Sequence, residues 1–564
     1  MDALRRMFTI YQPLGTSPAH PRGRPTALVA IAIAVLVMIF LFSSMSNTNA
    51  YFNVTHGGQS GSGSGLNTMA QPHQPEQLEL PKQPQQPQPS EQPGELNLDL
   101  QDPPQDQNRR FVVLVPATAP SPNLCKFLLS AIALGYPSPV IVNWGVDFRN
   151  ITKWDHGRTM SKIPGVTRYL DAVLREDAHP DDKLKEDDLV LIADGYDIWF
   201  QLPPEVLLRR YHDINAKANA RLRQQWGRDS PMPMRQSIIT ASQKRCYPPP
   251  KAGSVMRCDV LPESPLRVDL YGSDTDNNFN ETDFHHVRPR FINGGTYMGP
   301  AGDLRRMFRR ALFKLESAVG RGEKLYSEQG VTGEVLGEQE TWRKWRREHD
   351  VADDDAMAMT QQDHEFYIGM DYKQELSIPT VFSEEDGVII TLNNKTGIDM
   401  HSAALGISPV RLQGVPDDIS AAQNPLEAIT ESPDWGDMPL YADFFTEAVP
   451  ALLHHNAHVN SLKERRVWWW DQTWFFNYLR QLLTLRLTPG ELAPLANVKT
   501  GGGNVTYWAP QSDKVRRKPR SFLDSVVDPL AEMEFETLCQ DPEEDGEIPQ
   551  PWSDEVFRDG KGPI

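Results

Sequence analysis

Two carboxylates, Asp194 and Asp197, close an unbroken apolar run, Leu189 to Ala193, with only Gly195 and Tyr196 between them. Carboxylates held a few ångströms apart repel, and beside a low-dielectric core that repulsion raises one pKa unless a cation sits between them. A divalent ion is the natural remedy: oxygen ligands suit hard cations such as Mg²⁺ or Mn²⁺, and one added imidazole tilts the preference toward Mn²⁺. Gly195 lets the backbone turn sharply, so that both side chains point to one side. The same four residues would equally serve as a plain turn, with Asp194 capping it and Asp197 exposed. Imidazoles stand far downstream, where the stretch PALLHHN, Pro450 to Asn456, ends in His454 and His455. Taken alone, a histidine at a strand end is an ordinary polar surface residue.

These groups must be held by a framework, and the apolar patterning supplies one. Phe111 to Val115 (FVVLV) predicts a buried strand, and Leu124, Phe127, Leu128, Ala131 and Ile132 recur at helical spacing. Pro139 to Trp144 follows as a second strand, Val166, Tyr169, Leu170, Val173 and Leu174 mark a second helix, and LVLIA is the third strand. This βαβαβ order calls for an α/β fold with a mostly parallel sheet covered by helices on both faces. In such sheets ligands bind beyond the carboxyl ends of the strands, where Asp194 and Asp197 stand. Ser237 to Ser242 and Pro289 to Gly299 read as later strands, with a helix after them marked by Leu304, Met307, Phe308, Ala311 and Leu315. The charged stretch from about Gly320 to Asp355 reads as an insertion or a long exposed helix. Val467 to Leu483 (VWWWDQTWFFNYLRQLL) is rich enough in large apolar residues to pack as a buried or capping helix.

The ends differ from this middle. Ala27 to Phe42 carries no charge, and with its neutral flanks the segment 27–45 reaches the roughly 17 to 20 residues a membrane-spanning helix requires. Arg5, Arg6, Arg22 and Arg24 precede it, so residues 1–26 are expected in the cytoplasm and the remainder in a lumen or outside the cell. A cleavable signal peptide is the rival reading, but the run starts late and lacks a good small-residue cleavage pattern. Residues 46–109, Gly/Ser-rich and then Gln/Pro-rich, hold too few large apolar residues to fold and are expected to form a disordered stalk. The catalytic head is then 110–488, followed by an extension of mixed order over 489–564. Sequons at Asn53, Asn150, Asn280, Asn394 and Asn504 agree with a secretory route. Of the four cysteines, the near pair Cys246 and Cys258 would close a short loop in an oxidising lumen, or the two would remain free. A formal charge of −18, from 57 basic and 75 acidic residues, argues against a general nucleic-acid binder.

From about Phe111 to Trp470 the chain resembles the glycosyltransferase domain of the procollagen lysyl hydroxylases and their collagen glycosyltransferase relatives. VPATAP with NLCKFLLSAIALGY is similar to that family's first strand, nucleotide loop and helix, and SKIPGVTRYLDAVL to its lysine-bearing second helix. LIADGYDIWF resembles its "DSYD" strand end, RFINGGTYMG its "YLNSGGFIG", QQDHEFY its "DDQLFY", and LLHHNAH its "IHGNGP". The resemblance implies a GT-A type, Rossmann-like fold and transfer of a hexose from a UDP-sugar donor with Mn²⁺, Mg²⁺ being the alternative ion. It implies Asp194, Asp197 and His454 as metal ligands, with His455 as the fallback. It implies donor contacts from Thr118, Lys162, Tyr196, Asn293, Gly294, Gly295 and Asn456, and catalytic positions at Asp363 and Gln362, with the Asp363 carboxylate orienting the acceptor hydroxyl or the sugar, or serving as general base. Without the resemblance, Lys162 is a solvated side chain at a helix start and the two glycines form a simple turn. Gln362 departs from the family's paired aspartates.

The function expected from these features is a type II, single-pass membrane glycosyltransferase of the Golgi or endoplasmic reticulum, acting in the lumen on a protein or glycan acceptor. The alternative is a non-catalytic relative that binds nucleotide-sugar or glycan, or scaffolds other enzymes. No HxD with a distant His occurs in a matching domain, so hydroxylation is not expected.

Overall fold

The computed structural model describes residues 107–146, 157–277, 285–457, 460–515, 517–522, 530–542 and 548–564. The expected cytoplasmic tail, membrane segment and all but the last residues of the stalk fall outside them, as do the sequons at Asn53, Asn150 and Asn280. Among the described residues no helix is long and apolar enough to cross a membrane.

The first strands follow the apolar runs: β1 (Gln107–Pro116), β2 (Val140–Val142), β3 (Leu189–Ala193) and β4 (Ile198–Phe200). Then come β5 (Ile238–Gln243), β6 (Phe291–Pro300), β7 (Ile368–Asp371), β8 (Ser377–Pro379), β9 (Gly387–Thr391), β10 (Pro439–Asp443) and β11 (Leu452–His454). Four more lie near the C-terminus: β12 (Ala496–Thr500), β13 (Gly503–Trp508), β14 (Arg520–Phe522) and β15 (Leu530–Glu532). The main sheet runs β15-β14-β2-β1-β3-β6-β5-β7, with β13 joined to β1 and β12 to β13. β1, β2 and β3 are parallel, as the βαβαβ pattern predicts, and β6 is antiparallel to both β3 and β5.

Five helices frame the site: α1 (Pro122–Ala133), α2 (Lys162–Val173), α3 (Pro204–Trp226), α4 (Ala301–Gly320) and α5 (Glu328–Glu348). The sheet separates two cores, which explains why its central strands are apolar at every position rather than alternately. Phe111, Val113 and Val115 face the core built by α1 and α3, whereas Val112 and Leu114 face the one built by α2, α4 and α5. Local signals agree with the helix starts. Ser121 accepts from the Asn123 amide with Pro122 behind it, and Ser327 accepts from the Gly330 amide at the start of α5.

Three expectations are corrected. The segment 320–355 is not an exposed insertion: α5 buries Val331, Thr332, Val335 and Leu336 against the sheet, and its Arg343 lies buried between Glu340 and Glu365. The residues 467–483 do not form one helix. The buried residues Trp470, Trp474, Phe475, Leu479 and Leu483 would spread over roughly 220° of a regular helix at about 100° per residue, too wide for one inward face. Short 3₁₀ turns bring the three aromatic residues in, and the indole N–H groups of Trp470 and Trp474 reach the carbonyls of Val556 and Gln201.

The third correction concerns residues 489–564, which are part of the head. β13 pairs along Gln107–Arg110, so residues 107–109 also belong to the sheet rather than to a stalk. β14 extends β2, with Arg520 fully buried between Asp182 and Asp513. Cys125 of α1 is joined to Cys539, and Cys246 to Cys258. A chain ending at residue 488 should therefore lose the cooperative thermal transition of the longer chain; a truncated form melting cooperatively within a few degrees of it would contradict this architecture.

The contact between α3 and β13 also sets a pH dependence. His212 lies 2.8 Å from the Tyr507 hydroxyl, and burial, with Arg109 nearby, lowers its pKa to about 4. Between that value and the unfolded value of about 6.5 the unfolded chain holds a proton that the folded one lacks, so stability rises with pH across this window and falls on acidification. Replacing His212 with Gln should flatten that slope in denaturant titrations at pH 4.5 and 7, and an unchanged slope would refute the assignment.

Candidate metal centre

The acids emerge where the strand order predicts, at the carboxyl ends of β1, β2 and β3. The Asp194 amide bonds the Gly295 carbonyl at 3.0 Å, and the chain then turns into β4. β4 pairs antiparallel with β11, Ile198 opposite His454, which delivers the imidazole beside Asp197. His454 Nε2 lies 3.3 Å from Asp197 Oδ1, and one donor atom each from Asp194, Asp197 and His454 falls within 4.8 Å of the others. This is the single such group of His, Cys, Asp or Glu among the described residues.

His455 is not the alternative ligand. It is fully buried against Trp199, with ring centroids 4.1 Å apart, and burial lowers its pKa to about 3. Its amide bonds the Asp197 carbonyl at 2.7 Å, so its backbone fixes the turn while its ring fills the core.

Charge around the acids is balanced closely. Lys162 Nζ lies 2.6 Å from Asp194 Oδ1, 2.8 Å from Glu328 Oε1 and 2.9 Å from the Gly294 carbonyl oxygen. An ammonium has three N–H donors, and all three are engaged. Burial alone would depress the Lys162 pKa, but the two carboxylates outweigh it and raise it. For Asp194 burial dominates, so its carboxyl is raised despite Lys162, with Glu328 adding to the rise. For Asp197 the balance reverses: burial is outweighed by His454 and by Lys463, 3.3 Å away, which hold it well below the usual range. Three carboxylates facing two ammonium groups leave a net negative charge. Two carboxylates with an imidazole form a donor set that fits a divalent cation such as Mn²⁺, and His454 Nδ1 is buried without a hydrogen-bond partner among the described residues.

The remaining expected residues divide. Tyr196 is brought to the rim: its hydroxyl accepts from the amides of Thr118 and Ala119, both at 3.0 Å, and donates to the Ala119 carbonyl, pinning the loop after β1. Asn456 braces the other side, its Oδ1 accepting from the Val381 amide and its carbonyl from the Thr380 hydroxyl. Asn293 is buried, with its amide bonded to Gln243 and to the Gly295 N–H. The β5–β6 register passes from Tyr297 to Asn293, so residues 294–296 bulge, as often occurs beside functional sites.

The glycines serve packing within the protein. A Cβ on Gly295 would lie 2.2 Å from His454 Cε1, one on Gly294 would lie 2.9 Å from Gln329 Cβ, and one on Gly195 would lie 2.7 Å from Val115 Cγ2. Gly195 is thus required by close approach to β1 rather than by a special turn.

Gln362 and Asp363 are not brought to this centre. β7 runs parallel to β5, and hence in the same direction as β3, so residues preceding β7 enter at the amino ends of the strands. There Asp363 pairs with Arg306 on α4 at 2.7 Å, and the Gln362 amide lies 3.0 Å from the His364 ring. A motif match carries no information about which end of a sheet its segment reaches.

Three residues at the centre escape sequence reasoning: Glu328, Gln329 and Lys463. Gln329 Oε1 accepts from the Gly294 amide at 2.8 Å, locking the start of α5 to the bulge. The available signal was Ser327, a helix cap, followed by an acid and an amide before a helical run. Lys463 had none. The chain matches no known protein-family model and no curated protein.

Because its Cβ would occupy the space of the His454 ring, Gly295→Ala should weaken Mn²⁺ binding by about 10- to 100-fold in an otherwise folded protein, followed by paramagnetic resonance titration. Unchanged affinity would exclude His454 from the ligand set.

Proposed function

We propose that this chain is a metal-dependent glycosyltransferase of GT-A type that moves a hexose from a UDP-sugar to a protein or glycan acceptor. The observation that carries this reading is the convergence of Asp194, Asp197 and His454, from segments far apart in the chain, at the carboxyl rim of an α/β sheet. Asp194, Asp197 and His454 would hold the ion, which when bound supplies Lewis-acid stabilisation of a departing diphosphate.

The protein's own groups supply the rest. Lys162, with its donors saturated, positions Asp194 and Glu328 rather than binding phosphate. Lys463, paired with Asp197 at 3.3 Å through a side chain that is 39% exposed, is placed to be shared with a diphosphate. Glu328 replaces Asp363 as the acid at the reacting end. As the sugar C1–O bond to phosphate breaks, its electron pair leaves with UDP, the acceptor oxygen bonds to C1, and the hydroxyl proton passes to that carboxylate. Tyr196 and Asn456 hold the two loops that flank the donor.

Placement in the secretory pathway, with a type II anchor over 27–45 and the head in the Golgi or endoplasmic reticulum lumen, is supported by the two disulfides. Asn394 and Asn504, the sequons among the described residues, are both exposed. The position of Gln362 and Asp363 favours the second reading, a nucleotide-sugar or glycan binder without turnover.

UDP release from a panel of UDP-hexoses with Mn²⁺ separates the two. Asp194→Ala should lower kcat/KM by at least about 10²-fold, and Lys463→Ala should act mainly on the donor KM. Mn²⁺-dependent nucleotide binding with no turnover of any donor would establish the second reading, and absence of both would remove the first.

A further inference from the structure

Away from the metal centre, a cavity of about 390 Å³ lies along the C-terminal half of α5, within the size range of small-molecule sites. Its apolar surface comes from Trp342, Trp345 and Met359, and its polar surface from Arg257, Glu338 and His364. Both indoles are held in place by neighbours on their own helix. The Arg346 guanidinium lies 5.0 Å from the Trp342 ring centroid, and the His349 ring stacks on Trp345 at 5.1 Å. Trp342 is nearly buried, whereas Met359 is 67% exposed. Trp342 packs in a small core with Trp226, Met232 and Met234, whereas Trp345 and the exposed thioether of Met359 belong to no buried cluster.

The polar groups define what would bind. Glu338 is already neutralised by Arg310 at 3.0 Å and Lys314 at 2.7 Å, so the cavity offers no uncompensated acid to a cation. Burial lowers the His364 pKa, leaving a neutral ring with one donor and one acceptor nitrogen. Arg257 has no ion-pair partner among the described residues and adds donors. A wall that both donates and accepts, beside flat apolar surface, matches a ring with C–H faces and a rim of hydroxyls. The geometry points to a binding subsite for a neutral oligosaccharide, seated on Trp345 and Met359 above the buried Trp342, with its hydroxyls toward Arg257, Glu338 and His364.

The subsite is separate from the metal centre yet on the same helix. Glu328 opens α5 and Trp342 lies fourteen residues on, roughly 21 Å at 1.5 Å per residue. Its role as an anchor for a glycan acceptor rests on the transferase reading; the binding itself does not.

Isothermal titration with neutral gluco-, manno- and galacto-oligosaccharides, tetra- to hexasaccharides, tests it. At least one should bind wild type and Asp194→Ala with equal affinity, and Trp345→Ala should weaken that binding by about tenfold or more. Should Trp345→Ala fail to fold, Met359→Ala and His364→Ala at the rim should each weaken binding severalfold. The inference is overturned if no oligosaccharide binds, if binding is lost in Asp194→Ala but kept in Trp345→Ala, if UDP competes for the same site, or if sedimentation shows this face buried between two copies. Oligosaccharide binding without UDP release under any condition would leave the subsite standing and remove the transferase reading.

Discussion

Lys162 lies between Asp194 and Glu328 with all three of its N–H groups bound, and most of the site's architecture follows from that contact. Three carboxylates gathered at a largely dry strand end would repel one another strongly, and each is instead paired with a cation from another part of the chain. Lys162 comes from the first turn of α2, Glu328 from the first turn of α5, and Lys463, beside Asp197, from the segment after β11. Bringing these together demands close approach, and Gly294 and Gly295 are small where Gln329 and His454 press against β6. Removing Lys162 would leave the buried Glu328 carboxylate uncompensated, a change that typically costs about 3–5 kcal/mol, whereas Lys463 is partly exposed and Asp197 would keep His454 beside it.

The same logic explains how His454 reaches acids more than two hundred residues earlier in the chain. β4 is only three residues long, but it pairs with β11 immediately after Asp197, so register alone places the imidazole. β11 is held on its far side by β8, and the Asn456 brace fixes the loop beyond it. On the outer side, Trp470 and Trp474 anchor the segment that follows Lys463 through indole hydrogen bonds to Val556 and Gln201. The C-terminal residues therefore support the site as well as the sheet. The oligosaccharide subsite uses the other end of α5, a rigid element that carries Glu328 at one end and the two indoles farther along.

Much of this was legible beforehand. The apolar runs at 111–115 and 189–193 became β1 and β3, the helical spacings at 124–132 and 166–174 became α1 and α2, and Asp194 and Asp197 stand at the rim with His454 beside them. Errors arose where the pattern was short or mixed. β12 to β15 are strands of three to six residues in a Pro- and Gly-rich stretch, with too little periodicity to separate them from a tail. The Gln362–Asp363 match placed an acid at the wrong end of the sheet, while Glu328 was hidden in a charged stretch whose buried face is visible only against β6.

What the sequence alone determined is the α/β framework and the pair of acids at a strand end, because burial of regular elements imprints a period on neighbouring residues. Only the tertiary structure decided which imidazole meets those acids, which lysine is saturated and which carboxylate stands third. Those outcomes depend on register and on ion pairs between remote segments, and such contacts leave no periodic trace in the residues that make them.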